Sequence, residues 1–222
     1  MKKKELTEYE IVREQFLAFQ QLYNDIEIVN IVNNYNEKNL EIGENTEHIN
    51  YRNYREQTDK ILSEEGYTIL LIDDSFLTLY YLFDREGNIC KHVLSFVPSY
   101  QNDLYREDMD KKVVYQNHQE QDANVLEEVF CRRISNYIRV DYDTLGQKKY
   151  YHTPVHLHAG VFEYSFRLPV QNALFPNDFL FLIFKYIYHI EDERLGLLNN
   201  AYTRRCKLLE DEMSRFRIVY GS

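Results

Sequence analysis

The sequence predicts a single α+β domain, an antiparallel β-sheet flanked by N-terminal and C-terminal helices. Three observations carry this. The two ends of the chain show apolar residues at helical spacing, and the middle is built of β-branched and aromatic runs. Turn residues, not long helical patterns, separate those runs. At 222 residues, 44% hydrophobic and 28% charged, the chain can bury a core without disulfides or a structural metal. We read one domain over 1–222, mainly helical in 1–66, sheet-forming in 67–168 and helical again in 176–214.

The elements follow in order. Val12, Phe16, Phe19, Tyr23 and Ile26 recur in steps of three and four, which places them on one face of a helix over 5–26. Asn30, Asn33, Asn34 and Asn36 then read as a loop. Tyr51, Tyr54, Thr58, Ile61 and Leu62 mark a second helix, closed by Gly66. Runs at 67–72, 76–83 and 89–97 are strand-like, with Asp73-Asp74-Ser75 and Asp84 to Asn88 as turns. A polar excursion fills 98–124 and a short helix 125–131. Strands are expected at 137–143 and 155–162, continuing at 164–168. Pro176, Asn177 and Asp178 start a buried helix over 179–190. Leu195, Leu198, Tyr202, Leu209 and Met213 define one more helix before a last strand at 218–220.

A formal charge of −10 weighs against a general nucleic-acid binder, which needs a basic field to displace counterions from phosphates. Basic residues are nevertheless clustered at Arg132 and Arg133, at Lys148 and Lys149, and at Arg204 and Arg205. Cys90, Cys131 and Cys206 are odd in number and far apart, as expected of reduced thiols in a cytoplasmic protein. The basic start MKKKELTEYE lacks an apolar stretch, and the run Phe179 to Phe184 is too short to span a bilayer, so no membrane is expected. Phosphate-binding glycine loops and a serine nucleophile elbow are absent.

The segment YIRVDYDTLGQKKYYHTPVHLHAGVFEYSFRLP has a chemistry of its own. On a strand, His156 and His158 share one face while Leu157, Ala159 and Val161 take the other. Arg139, Asp141 and Asp143 likewise oppose Ile138, Val140 and Tyr142. Pairing the two strands gathers Arg, Asp and His on one face, with Arg167 in reach on a third segment. His152, before Pro154, reads as a turn residue.

Two chemistries use such a cluster. His156 and His158 can serve as general base and acid on a phosphodiester, with Arg139 or Arg167 holding the phosphoryl oxygens and Asp141 orienting a histidine. Alternatively His156, His158 and Asp141 bind one divalent metal, a two-histidine, one-carboxylate set suited to hydrolysis or oxygenation. The cofactor is therefore none or one divalent metal. A purely structural polar cluster is the third reading.

The order YIRVDYD, HTPVHLHAG, FRLP and FPNDFLFLIFKYIYHIE resembles the bacterial family termed domain of unknown function 2290. The matching positions are Arg139 and Asp141, His156, His158 and Gly160, Arg167 and Pro169, and Pro176 and Phe179, all within the C-terminal half. The segment is also similar to small bacterial toxin-like proteins carrying an H-x-H element. That similarity implies a toxin–antitoxin or phage-defence setting, with RNA or DNA as substrate and a ribonuclease-like activity of the His, Arg and Asp cluster. The alternatives are a non-enzymatic subunit that binds a partner protein of a defence complex, for which abundant tyrosine is suited, and a metal-dependent hydrolase.

Overall fold

The computed structural model describes residues 6–24, 28–36, 40–100, 136–144, 155–161, 167–191 and 193–198. Nine strands among them form one antiparallel sheet: β1 (Ile28–Ile31), β2 (Tyr35–Asn36), β3 (Glu41–Ile42), β4 (Ile69–Leu71), β5 (Phe76–Phe83), β6 (Ile89–Val97), β7 (Ile138–Asp143), β8 (Val155–Ala159) and β9 (Arg167–Pro169). The order is β1-β4-β5-β6-β7-β8-β9, a meander whose sequence neighbours mostly pair in space. The short β2–β3 hairpin joins through β3, which pairs with the second half of β5 while β4 takes the first. The α+β architecture is as the sequence predicts.

Among the described residues three α-helices accompany the sheet: α1 (Glu8–Ala18), α2 (Tyr54–Ser63) and α3 (Pro176–Tyr186). A capping box starts α1, Thr7 accepting from the Glu10 amide while Glu10 accepts from the Thr7 amide. Val12, Phe16 and Phe19 are fully buried, and past Ala18 the chain tightens into a 3-10 turn over Phe19–Asn24. Pro176 opens α3, whose first turn is held by the Phe175 amide donating to Asp178 Oδ2 at 3.0 Å. Gln15 on α1 accepts from the Asn177 amide at 3.0 Å, tying the two helices together.

The main core lies between these two helices and one sheet face, contributed by Leu79, Tyr81, Leu94, Val140, Val155 and their neighbours. A smaller cluster on the opposite face joins Phe76, Val97 and Tyr137 to Ile49 and Tyr54, from the segment over 43–50 and from α2. One face is thus sealed by helices and the other partly covered by a strap.

Two local expectations change. The Asn-rich stretch expected as a loop contains β1 and β2, because its backbone pairs with β4 and β3 despite weak side-chain signals. The left-handed residue that ends α2 is Glu65 at φ 52°, with Gly66 following it and donating its amide to Ile61 O. The helix expected at 125–131, the strand at 218–220, His152, Tyr164, and the C-terminal helix beyond Leu198 lie outside the described residues. No described helix is long and apolar enough to cross a membrane.

Candidate functional site

The register between β7 and β8 builds the site. Asp141 stands directly opposite His156, and Arg139 opposite His158. β6 extends the rows, Ser95 facing Arg139 and Val93 facing Asp141, and β9 extends them on the other side, with Arg167 opposite His158. Each strand alternates, so Val93, Ser95, Arg139, Asp141, His156 and His158 share the sheet face away from α1 and α3, while Val140 and Tyr142 enter the main core.

At the centre is Asp141. Arg139 Nε donates to both of its oxygens, at 2.8 and 3.0 Å, and the Arg139 guanidinium also donates to Thr46 O at 3.4 Å. The Nε2 atoms of His158 and His156 lie 3.5 and 3.9 Å from Asp141 Oδ2. The two imidazoles sit 4.7 Å apart, nearly edge to face. Both histidines are almost fully buried, at 3% and 4% exposure. Burial alone raises the Asp141 carboxyl, but the hydrogen bond from His158 and the charges of Arg139 and the histidines outweigh it and hold the group at about 2. Asp141 is therefore a carboxylate at neutral pH.

Asp141, His156 and His158 offer one donor atom each, all within 4.8 Å of one another. Tetrahedral zinc with bonds of about 2.0–2.1 Å separates its ligand atoms by about 3.3 Å, so a small inward movement suffices. Of the residues the sequence singles out, Arg139, Asp141, His156 and His158 are brought together, and Arg167 holds a register position beside them.

Sequence reasoning misses three members. His48, exposed on the strap, places its ring 5.9 Å from His158 and 5.8 Å from Tyr137. Ser95 Oγ and Tyr137 OH are buried on the same face, where the Tyr137 hydroxyl interacts with Ser95 and with Arg139. Alternation from Arg139 does place Tyr137 on this face, whereas His48 lies more than 85 positions away and only long-range packing delivers it. His92, on the opposite face, is separate from the site. Its Nε2 accepts from the Leu174 amide at 3.1 Å, and complete burial lowers it to about 3, so it stays neutral.

Neither a curated protein nor a solved structure matches this chain. One family profile does, over residues 18–220. The match reaches well beyond the C-terminal motifs that first carry the resemblance, and takes in the strap and α2 as well as the β7–β9 strands. With most of its length covered, the chain belongs to the family described as Uncharacterized conserved protein (DUF2290).

Proposed function

We propose that Asp141, His156 and His158 form a divalent-metal centre and that the protein is a hydrolase of phosphodiesters. The observation that carries this reading is the convergence of three donor atoms within 4.8 Å, two from buried histidines and one from a partly buried carboxylate held ionised by His158 and Arg139. Two histidines and one carboxylate would hold such an ion, which would supply the acidification of a water for hydrolysis. In the reaction, the water oxygen joins phosphorus, the P–O ester bond breaks, and the leaving oxygen takes up a proton.

A metal-free pathway uses the same residues less well. In-line displacement puts attacking and leaving oxygens on opposite sides of phosphorus, so base and acid must flank it. Imidazoles 4.7 Å apart that both approach one carboxylate oxygen do not flank a phosphoryl group.

RNA or DNA as substrate, a bacterial defence or toxin–antitoxin module as setting, and a partner protein within it are supported by the sequence resemblance, and a cytoplasmic location by the dispersed cysteines. The test is metal content by elemental mass spectrometry, beside hydrolysis of single-stranded RNA with and without chelator. About one equivalent of metal per chain, lost in a His156→Ala/His158→Ala double variant of unchanged melting temperature, supports the centre. Metal-free protein after growth and reconstitution with zinc, manganese and iron overturns it.

A further inference from the structure

The strap brings a third histidine to the ligand cluster. His48 is exposed, yet its ring centre lies 5.9 Å from that of His158 and 5.8 Å from that of Tyr137, two side chains buried on the sheet. His158 therefore has two imidazole neighbours, His156 at 4.7 Å and His48 at 5.9 Å. Two imidazoles bound to one tetrahedral zinc through bonds of about 2.0–2.1 Å place their ring centres about 5 Å apart. The observed spacings fall on either side of that value.

The backbone that carries His48 is anchored to the strands of the site. Two residues before it, the Thr46 carbonyl accepts from Arg139 on β7 at 3.4 Å, and the Thr46 hydroxyl bonds that of Thr78 on β5 at 3.0 Å. One residue after it, Ile49 is buried in the smaller core cluster with Tyr137 and Val161. The strap's far end is tied to the same place, because the Tyr51 amide donates to Val161 O at 3.2 Å, just past β8. These anchors hold His48 over the cluster, while its exposure leaves the ring room to turn. Its nitrogens fall outside the set of donor atoms that Asp141, His156 and His158 form within 4.8 Å. Ligation needs the ring to approach His158 by about 1 Å, which a side-chain rotation supplies.

We propose that His48 is a fourth ligand of the metal centre, supplied by the strap, so that an ion bound on the sheet also pins the strap over it. The inference rests on the metal-centre reading above and adds a control to it. Three imidazoles and one carboxylate suit zinc, iron or nickel, whereas magnesium and calcium prefer oxygen donors. Zinc can expand to five ligands, which keeps a place for the water. Because His48 belongs to the strap, the seating of the strap and the retention of the ion are linked. Whatever lifts the strap weakens the hold on the ion, and the ion holds the strap down by the same free energy.

The experiment is zinc titration of the full chain in competition with a chromophoric chelator. Cobalt serves as a spectroscopic stand-in, and hydrogen exchange reads the amides of 44–50. We expect His48→Ala to bind zinc about tenfold or more weakly and to change the visible cobalt bands, which report coordination number and geometry. Zinc should slow exchange along the strap in the parent and not in His48→Ala. His48→Gln, which keeps a polar side chain of similar size, serves if the alanine variant misfolds. Zinc affinity and strap protection unchanged in His48→Ala, beside loss of zinc in the His156→Ala/His158→Ala variant, overturn the fourth ligand and leave the metal centre standing. Weaker binding with unaltered cobalt bands also overturns it, since His48 then only positions His158. A parent chain that takes up neither zinc nor cobalt overturns the metal centre and this proposal together.

Discussion

Replacing Asp141 by Asn keeps the size of the side chain and removes the charge on which the cluster converges. The carboxyl sits at about 2, against 3.8 for an unperturbed group, a gap worth about 2–3 kcal/mol of stability at neutral pH. The sign follows from the depressed value. Unfolded chain binds the proton first as pH falls, so the contribution is complete above about 4 and fades as pH drops through about 2. A second route gives an upper limit. Arg139 and Asp141 are mostly buried, at 11% and 19% side-chain exposure, and stranding one member of a buried pair costs about 3–5 kcal/mol. Asp141→Asn should therefore lose about 2–3 kcal/mol in urea denaturation at pH 7 with chelator present. An Arg139→Gln/Asp141→Asn double variant should lose less than the sum of the single changes, because each removes the same contact. Asp141→Asn within about 0.5 kcal/mol of the parent, the range of an ordinary surface change, would refute the electrostatic account of the site.

Three further outcomes are expected. His92 is buried with its value lowered to about 3, so protonation favours the unfolded chain between about 6.5 and 3. Stability should fall with decreasing pH across that window by up to about 1.4 kcal/mol per unit, and His92→Gln should flatten the slope measured by pH-dependent urea midpoints. Gly43→Ala forces a Cβ into Leu79 O, and a drop of about 3 kcal/mol or more, or insoluble protein, is expected in thermal melts. Gln15→Leu strands the buried Asn177 amide and should cost about 1–3 kcal/mol, read as a lowered denaturation midpoint.

The strands that carry the site are legible in the sequence because their alternation is strict. YIRVDYD and VHLHA separate polar from apolar positions one by one, and only a single register keeps both apolar sets in the core, so Asp141 meets His156 as the pattern implies. Stretches where pairing does not depend on side chains are illegible. β2 and β3 have two residues each, too short for a run to mark them, and in β1 the β-branched residues are interrupted by Asn30 and pair irregularly with β4. The covering of the site is hidden for another reason. The strap is fixed by Thr46 to Thr78 and Arg139 and by buried Ile49, contacts between residues far apart in the chain. His48 arrives with that strap. Glu65 takes the left-handed turn after α2 although Gly66 stands next to it, a choice that composition does not reveal.

The meander has a consequence for the order in which the molecule assembles. β5 and β6 are joined by five residues, from Asp84 to Asn88, whereas 40 residues separate Val97 from Ile138. Closing the longer connection costs about 2 kcal/mol more chain entropy. Hairpins on either side of it can therefore form early, and the β6–β7 seam should close late. Arg139, Asp141 and both histidines belong to the later half, while the strap and Ser95 belong to the earlier. Until the seam closes, the histidine pair is open to water and to any ion in it. If the proposed metal centre forms, an ion met before the seam closes would reach residues that the finished protein encloses.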